Sequence, residues 1–189
     1  MRIGITGAPG TGKTELARAL AEELSLPLIL ISAEESLEFL KTNILEVCAR
    51  RALAVDLQIR MLHKQIIAED SHEHFVTDRT GLDYLAHWRA YGINQTNNAL
   101  DGEFEERCLG RNYDLVVYVP YYGKDDMYRL IDSCILSYLG NPRVNYEVVS
   151  ANGKLERNLT LVRKALKYKG GKRYDRDRPE SITAGNRSG

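Results

Sequence analysis

Short apolar runs alternate with longer amphipathic stretches along the chain. The apolar runs have the length of strands, and the segments between them repeat apolar residues at the three-to-four-residue spacing of a helix. Strands that alternate with helices of about ten or more residues indicate βαβ units, and so a mostly parallel sheet with helices on both faces. The fold class is therefore α/β. The predicted strands are Arg2–Thr6, Leu28–Ile31, Phe75–Thr77, Leu115–Val119 and Tyr146–Val149.

The predicted helices begin and end at residues that favour helix termini. The first follows a glycine-rich segment and ends before Pro27. Ser32 is predicted to cap the next helix, with Glu35 three residues later completing a capping box. Apolar spacing then predicts one long helix over Leu45–Asp70, one over Thr80–Tyr91, one ending near Gly110, and two more over Met127–Leu139 and Lys154–Tyr168.

Length and composition indicate one globular domain followed by a basic tail. The chain has 189 residues, of which 43% are hydrophobic and 28% are charged. These fractions are ordinary for a protein that buries a single core. We predict that residues 1–168 form this domain, because they contain neither an internal repeat nor a linker. From Lys169 the apolar periodicity is lost, so residues 169–189 are predicted to be a flexible tail.

Charge is unevenly distributed, although the chain is neutral overall. Residues 163–178 contain eight basic and two acidic side chains, which gives them a net charge of +6. Such a segment can contact the phosphates of a nucleic acid, or it can be a solvated terminus. The sequence leaves both interpretations open and favours the solvated terminus.

The sequence contains no indication of a membrane or of an oxidising compartment. No apolar window approaches the roughly 18 residues of a membrane span, and the apolar run after Arg2 is too short for a signal peptide. Cys48, Cys108 and Cys134 are odd in number, widely spaced and outside any metal-ligand pattern, so we expect buried, reduced thiols. We therefore expect a cytoplasmic protein without membrane contact.

A glycine-rich segment near the N-terminus carries the strongest chemical signal. It matches the phosphate-binding pattern G-x-x-x-x-G-K-[ST], with a strand before it and an amphipathic helix after it. Glycines let backbone amides approach phosphate oxygens, and the helix N-terminus adds a positive dipole. Lys13 is predicted to reach the β- and γ-phosphates of ATP, and the Thr14 hydroxyl to ligate Mg²⁺. The predicted nucleotide-binding residues of this segment are Gly7, Ala8, Gly10, Thr11, Gly12, Lys13 and Thr14.

An acid and a base directly follow the third predicted strand. Asp78 and Arg79 stand at its carboxyl end, the edge of a doubly wound sheet that faces the ligand crevice. Asp78 is a candidate for holding Mg²⁺ through water or for accepting the proton of an acceptor hydroxyl. Arg79 is a candidate for clamping an anionic acceptor or for offsetting charge on the transferred group. The alternative is structural, with Asp78 as a helix cap before Thr80 and Arg79 as a surface side chain.

Together with this phosphate-binding segment, two further segments resemble the P-loop nucleoside and nucleotide kinases. They are TDRTGLDYLAHW over 77–88 and DDMYRLIDSCI over 125–135. The chain is especially similar to the AAA-type ATPase-like group that includes the ribosylnicotinamide kinase domain. In that group an Asp-Arg pair follows the third strand, and a Tyr-Arg pair opens the helix after a short lid. A final strand then leads into an arginine-containing helix, here YEVVSANGKLERN over 146–158, so that the similarity extends over about residues 1–168.

The resemblance implies the P-loop NTPase fold, with five strands in the order 2-3-1-4-5, and ATP and Mg²⁺ as cofactors. It implies Asp78 as a general base or as a ligand of metal-bound water, and Arg79 as an acceptor contact. It also implies Arg129, with Lys124 nearby, as a lid cation over the phosphates. The lid loop Tyr121–Asp126 is short and has no arginine cluster, so this role depends on Arg129 alone. A plain helix-surface arginine is the alternative.

Several other residues are candidates for binding the acceptor or the nucleotide. Gln58, Arg60 and Gln65 lie on the long predicted helix, where Gln58 could pair with a base edge and Arg60 could bind an acceptor phosphate. Solvent-facing polar positions are the alternative for these residues. Tyr84 lies four residues from a tryptophan on one helical face and could stack on an acceptor ring, although core packing is the commoner role. Asn152 follows the last strand, where adenine commonly lies in this fold, and is predicted to contact the nucleotide.

These features predict an ATP-dependent kinase that transfers the γ-phosphoryl group to a small nucleoside, nucleotide or related ribosyl acceptor. Lys13 and Arg129 would neutralise charge, Asp78 would orient or deprotonate the acceptor, and Arg79 would contact it. Two alternatives stay open. One is a nucleotide-dependent ATPase switch, which the short chain and the lack of a separate helical domain disfavour. The other is a kinase that acts on nucleic acid through the basic tail. A homodimer is also compatible with the sequence.

Overall fold

Five strands form one parallel sheet in the computed structural model, which describes residues 1–93, 98–144 and 147–176. The strands are ordered β2-β3-β1-β4-β5, and each neighbouring pair is parallel. The predicted α/β fold and strand order are therefore confirmed. The strands are β1 (Arg2–Thr6), β2 (Leu28–Ile29), β3 (Phe75–Thr77), β4 (Leu115–Tyr118) and β5 (Glu147–Ser150).

Helices cover both faces of the sheet. Helices α1 and α8 lie on one face, where Ile3, Leu16 and Val162 share a buried apolar cluster. The helices of the other face include α4 and α5, which bury Leu57 and Leu85 in a second cluster. The helices within the described residues are α1 (Lys13–Leu24), α2 (Ala33–Phe39), α3 (Ile44–Ala49), α4 (Arg51–Asp70), α5 (Gly81–Ala90), α6 (Asn98–Leu109), α7 (Asp126–Leu139) and α8 (Leu155–Arg176).

The long helix predicted over Leu45–Asp70 is in fact two helices. Asn43 caps α3 by accepting the Glu46 N–H at 3.1 Å. Arg50 then adopts an extended backbone, with φ −126° and ψ 101°, between α3 and α4. An α-helix cannot continue through a residue in this conformation. Neither glycine nor proline marks the break in the sequence, so apolar spacing alone predicted a continuous helix.

Ser32 caps α2 as predicted, but the capping box predicted with Glu35 does not form. The Ser32 hydroxyl oxygen accepts the Glu35 N–H at 3.4 Å. The Glu35 carboxylate turns towards α4 and accepts a hydrogen bond from Lys64 Nζ at 3.0 Å. The cap therefore fixes the start of α2 while the carboxylate ties this helix to α4.

The C-terminal helix is longer than the apolar pattern indicates. Helix α8 continues to Arg176, through the first residues of the predicted tail. Residues 177–189, which complete that tail, and Tyr146, predicted as the start of the fifth strand, lie outside the described residues. Across the described ranges, no helix combines the length and the apolar character needed to cross a bilayer.

Candidate active site

The segments that follow β1 and β3 meet at one edge of the sheet because these two strands are parallel neighbours. Their register pairs Gly4 with Thr77, so the chain leaves both strands at the carboxyl edge, side by side. The segment after β1 is the predicted phosphate-binding loop, residues 7–14, and the segment after β3 begins with Asp78. In a doubly wound sheet, this is the edge at which ligands bind.

The backbone of the loop requires glycine at Gly7 and Gly12. Gly12, the N-cap of α1, has a left-handed backbone with φ 86°, which residues with a side chain rarely adopt. A Cβ atom on Gly7 would collide with the carbonyl oxygen of Val119, next to β4. Because α1 begins at Lys13, its N-terminal amides and its dipole are directed at the loop, as anion binding requires.

Lys13 lies inside the loop. Its side chain is 8% exposed, and its ammonium group donates to the Ala8 carbonyl at 2.7 Å. The Thr11 hydroxyl donates to the same carbonyl at 3.0 Å. Burial lowers the pKa of Lys13, and nearby carboxylates, above all that of Asp83, act against this shift. A positive charge is therefore already held in the concavity where phosphate oxygens would bind.

The residue after Lys13 contacts the end of β3. The Thr14 hydroxyl donates to Asp78 Oδ2 at 2.6 Å. The other carboxylate oxygen, Oδ1, is buried and has no hydrogen-bond partner among the described residues. Burial raises the pKa of Asp78, while the hydrogen bond from Thr14 and the charges of Lys13 and Arg79 oppose the shift. A buried carboxylate oxygen without a partner is costly, so a ligand that supplied a donor or a cation here would stabilise it.

The oxygens of Thr14 and Asp78 also fit Mg²⁺. This ion is commonly bound by one or two protein oxygens together with phosphate oxygens and water. Within the part of the chain that the structure describes, no group of three or more His, Cys, Asp and Glu side chains could hold a metal ion. An ion at this position would therefore need the phosphates of a bound nucleotide as further ligands.

Thr80, and not Asp78, caps helix α5. The Thr80 hydroxyl oxygen accepts the Leu82 N–H at 3.2 Å. In return, Asp83 Oδ2 accepts the Thr80 N–H at 2.8 Å and completes a capping box. The structural interpretation of Asp78 as the cap is therefore wrong, and its carboxylate faces Thr14 instead.

Sequence reasoning missed Asp83. The side chain is 1% exposed, and its Oδ1 accepts the Gly7 N–H at 3.3 Å. The spacing of Thr80 and Asp83 matches a capping box and could have indicated the contact between these two residues. Its contact with the loop could not have been found in this way, because Gly7 is 76 residues away in the sequence.

Arg79 is half-buried beside the carboxylates of Asp78 and Asp83. Its backbone carbonyl accepts the Gln65 amide at 3.2 Å and the Thr77 hydroxyl at 3.1 Å, which fixes the chain at this point. Among the described residues, its guanidinium group forms no hydrogen bond or ion pair. Its charge adds to the effect of burial in lowering the pKa of both Lys13 and His87. Arg79 thus keeps a cation at the crevice that a ligand could bind.

Tyr84 lies in the core and not in the crevice. Its side chain has 0% exposure, and its hydroxyl donates to Gln65 Oε1 at 3.1 Å. The neighbouring Trp88 stacks on Phe104 with ring centroids 4.0 Å apart. The prediction that Tyr84 contacts the acceptor is therefore wrong, because a side chain without exposed surface cannot stack on a ligand. Core packing is the correct interpretation.

Gln58 and Arg60 lie on different sides of α4. Gln58 is 4% exposed and shares a helix face with Gln65, about two turns away. Arg60 stacks over the Phe39 ring at 3.4 Å and lines an open groove bounded by α2, α4 and α6. The structure therefore does not bring Arg60 to the face that carries Gln58. The acceptor contact predicted for Gln58 stays a prediction.

Arg129 lies at the surface of α7, with 57% of its side chain exposed. Its Nε donates to the Gly123 carbonyl at 3.2 Å, and a terminal nitrogen lies 3.5 Å from the Asp126 carboxylate. Lys124, in the same loop, is exposed. The role of Arg129 as a lid cation stays a prediction, because these contacts keep it on its own loop and helix.

A second carboxylate that sequence reasoning missed stands on α7. Asp132 Oδ2 accepts the Tyr118 hydroxyl at 2.9 Å, and Oδ1 accepts the Tyr121 N–H at 3.2 Å. Burial raises the pKa of Asp132, and the charge of Lys13 opposes the shift. These contacts hold the loop after β4 against α7, beside the phosphate-binding loop.

The loop after β5 is anchored on both sides. The Ala151 N–H donates to the Tyr118 carbonyl at 2.7 Å, and the Asn158 side chain makes two hydrogen bonds of 2.9 Å with the Gly153 backbone. Asn152 is exposed between these anchors. It lies at the carboxyl edge of the sheet, where its predicted contact with the nucleotide stays a prediction.

Comparison with known proteins places this arrangement in a family. Residues 2–133 match a family model described as an AAA domain. The chain belongs to this AAA domain family. The matched range includes the whole phosphate-binding loop, the Asp78–Arg79 pair and Arg129. No curated protein sequence matches the chain.

Solved structures share the fold of this AAA domain. Deoxyadenosine kinase from M. mycoides, with products dCMP and a flexible dCDP bound, has a TM-score of 0.70 and 15% identity, covering 89% of this chain and 100% of that chain. The NadR protein in complex with NR has a TM-score of 0.70 and 17% identity, and the match covers 89% of this chain and 50% of that chain. Thymidylate kinase from Ehrlichia chaffeensis has a TM-score of 0.58 and 16% identity, and the match covers 88% of this chain and 98% of that chain. The predicted resemblance to P-loop kinases is thus confirmed for the fold.

Proposed function

We propose that the protein is an ATP-dependent kinase that transfers the γ-phosphoryl group to a small nucleoside, nucleotide or related ribosyl acceptor. The observation that carries the proposal is the contact of Thr14 with Asp78 Oδ2, which leaves Oδ1 buried and without a described partner beside the loop. Nucleotide binding alone needs only the loop. A carboxylate with one open oxygen next to it also provides for an acceptor hydroxyl or a metal-bound water.

Each residue of the proposed site has its own role in phosphoryl transfer. The loop amides and the N-terminus of α1 bind the phosphates, and Lys13 neutralises their charge. Thr14 would hold Mg²⁺, with Asp78 contacting metal-bound water, and the ion, when bound, offsets the negative charge of the phosphates. Asp78 orients the acceptor hydroxyl and takes up its proton as the new P–O bond forms and ADP leaves. Arg79 contacts the acceptor or the transferred group.

The charges near Asp78 favour an acceptor hydroxyl on a molecule without a phosphate. Arginine suits phosphate binding because it can form two parallel hydrogen bonds, and we expect a phosphorylated acceptor to need at least two arginines near it. Arg79 stands beside Asp78, whereas Arg60 faces the groove and Arg50 and Arg51 are exposed at the start of α4. The ligand NR of the NadR complex and the deoxynucleotides of the deoxyadenosine kinase complexes support a nucleoside-type molecule.

The test is ADP formation from MgATP with a panel of nucleosides, nucleoside monophosphates, nicotinamide riboside and oligonucleotides. We expect one class of small acceptor to stimulate ADP formation and to become phosphorylated. Lys13→Ala should abolish the stimulation, whereas Lys164→Ala, an exposed site on α8, should preserve it. Slow hydrolysis that no acceptor stimulates would favour the ATPase switch, and stimulation by oligonucleotides alone would favour the nucleic-acid kinase.

A further inference from the structure

We propose that Asp83 is a positioning residue that holds the first glycine of the phosphate-binding loop against the segment that carries Asp78 and Arg79. The inference rests on the proposed function, because it takes the loop as the nucleotide site. It goes further, because it proposes that one buried carboxylate sets the distance between the bound phosphate donor and the acceptor.

The carboxylate of Asp83 joins two segments that are remote in sequence. Its Oδ1 accepts the Gly7 N–H at 3.3 Å, at the point where the chain leaves β1. Its Oδ2 accepts both the Thr80 N–H at 2.8 Å and the Thr80 hydroxyl at 3.0 Å, two residues after Asp78. With 1% exposure at Asp83 and 0% at Thr80, water does not compete for these contacts. Buried hydrogen bonds to a single side chain therefore link the two segments.

A helix cap alone does not explain this geometry. A capping box needs only the reciprocal bonds between the side chains and backbone of the N-cap and N3 residues. Here Oδ2 already satisfies Thr80, and the second oxygen is turned inward to the Gly7 amide instead of outward to solvent. The same side chain therefore serves the helix and the loop.

The link matters because phosphoryl transfer depends on position. A displacement of about 1 Å between reacting groups can cost on the order of 10²-fold in rate. Gly7 begins the loop that would hold the triphosphate, and Thr80 follows the pair that would hold the acceptor. Asp83 thus fixes the two halves of the proposed reaction relative to each other.

Asp83 also supports the charge of Lys13. Burial lowers the pKa of Lys13, and among the charges that surround this ammonium group Asp83 opposes the shift most strongly. Asp78, at the end of β3, and Asp132, on α7, act in the same direction, whereas Arg79 acts against them. Asp83 is therefore a counter-charge for this ammonium group as well as the link between the two segments.

The test compares Asp83→Asn with Thr80→Val by titration calorimetry of MgATP. In the Asn variant, the amide oxygen can replace only one carboxylate oxygen, and its NH₂ group must face an N–H donor. Thr80→Val removes the capping hydroxyl but leaves Asp83 and its contact with Gly7. We expect the MgATP affinity of Asp83→Asn to fall about tenfold or more, and that of Thr80→Val to change far less. Equal losses in both variants, after correction for the folded fraction, would overturn the proposal.

The split between kcat and the KM values gives a readout that a purely structural role would not change. In folded Asp83→Asn we expect kcat with the best acceptor of the panel to fall by about 10²-fold, because the donor and the acceptor are no longer held at the correct distance. The KM for the acceptor should change far less, and Thr80→Val should keep a kcat close to that of the wild type. If Asp83→Asn does not fold, Asp83→Ser removes the link without placing a donor against Thr80 and is measured in the same way. A kcat of the folded Asp83 variant close to that of Thr80→Val would contradict the assignment.

Lys13→Ala separates failure of this inference from failure of the proposed function. If Lys13→Ala binds MgATP as well as the wild type, the loop is not the nucleotide site and both proposals fail. If Lys13→Ala loses binding while Asp83→Asn behaves like Thr80→Val, only the role of Asp83 is wrong.

Discussion

The Thr14 hydroxyl donates to Asp78 Oδ2 at 2.6 Å and so joins the first turn of α1 to the end of β3. The bond satisfies one carboxylate oxygen and leaves the buried Oδ1 without a partner among the described residues. It also places the only two protein groups that the sequence assigns to Mg²⁺ next to each other. The loop that would bind the triphosphate and the carboxylate that would serve the acceptor therefore form one unit.

Lys13→Ala should abolish ATP-dependent transfer while the fold survives. Lys13 is 8% exposed and its ammonium group donates to the Ala8 carbonyl inside the loop, so the substitution removes a cation from the proposed phosphate site. Activity is measured as acceptor-dependent ADP release, and folding by circular dichroism. Lys164→Ala is the matched control on the exposed side of α8. Full turnover in a folded Lys13→Ala protein would contradict the assignment of the loop.

Asp78→Asn should reduce kcat by roughly 10²–10⁴-fold, the range of general acid–base groups. The amide keeps the shape of the side chain and can still accept the Thr14 hydroxyl, but it cannot take up a proton or balance a cation. Steady-state kinetics with the best acceptor measure the effect. Asp56→Asn, at an exposed site on α4, should behave like the wild type. A decrease of less than about threefold in the kcat of Asp78→Asn would show that Asp78 takes no part in the chemical step.

Activity should fall on acidification at a higher pH than an exposed aspartate would cause. Burial raises the pKa of Asp78, so its carboxylate becomes protonated above the usual value of about 4. Because the proposed role needs the deprotonated form, the rate is retained above this pKa and lost as the pH falls through it. The pH profile of kcat/KM checks the position of this acidic limb. The residual activity of Asp78→Asn should lack the limb, and a limb that persists would assign it to another group.

Arg79→Ala should raise the KM for the acceptor more than the KM for ATP. The guanidinium group has no described hydrogen-bond or ion-pair partner, and Arg79 directly follows Asp78, which the proposed function assigns to the acceptor. Initial rates with each substrate varied in turn separate the two constants. Arg18→Ala, exposed on α1, serves as the control. The reverse pattern, with the KM for ATP more affected, would place Arg79 at the donor.

Arg111→Met should destabilise the fold by about 3–5 kcal/mol. Arg111 donates to Glu69 at 2.7 Å, and Glu69 is only 1% exposed, so the substitution leaves a buried negative charge without its cation. Urea unfolding gives the free energy of unfolding. The matched change, Arg163→Met, breaks an ion pair with Glu23 at the surface and should leave that free energy nearly unchanged. Equal effects would show that burial does not govern the strength of these pairs.

The loop could be predicted because its signal is local, whereas the strand order was implied by the resemblance to the P-loop kinases. Residues 7–14 carry their whole pattern in one segment, and the turn, the glycines and the helix start all follow from it. Asp78 could be placed at the crevice because it directly follows an apolar strand. In both cases the side chain and the element that positions it are neighbours in sequence.

The faces of α4 and the contacts of Asp83 could not be predicted in this way. Helix α4 buries Gln58, Gln65 and Glu69 on one face, so polar residues do not mark its solvent side. Arg60 and Gln58 were consequently assigned to one site, although they face different surroundings. Asp83 depends on a contact with a residue far away in the chain, which apolar spacing does not encode.

Gln65 limits how the segment that carries Arg79 can change. Its amide nitrogen contacts Glu69 Oε1, the Thr77 hydroxyl and the Arg79 carbonyl, while its oxygen accepts the Tyr84 hydroxyl. Glutamate in its place would set two acids side by side, and leucine would leave several buried groups unpaired. The segment after β3 is therefore constrained in evolution to sequences that keep this amide or that change several of its partners together.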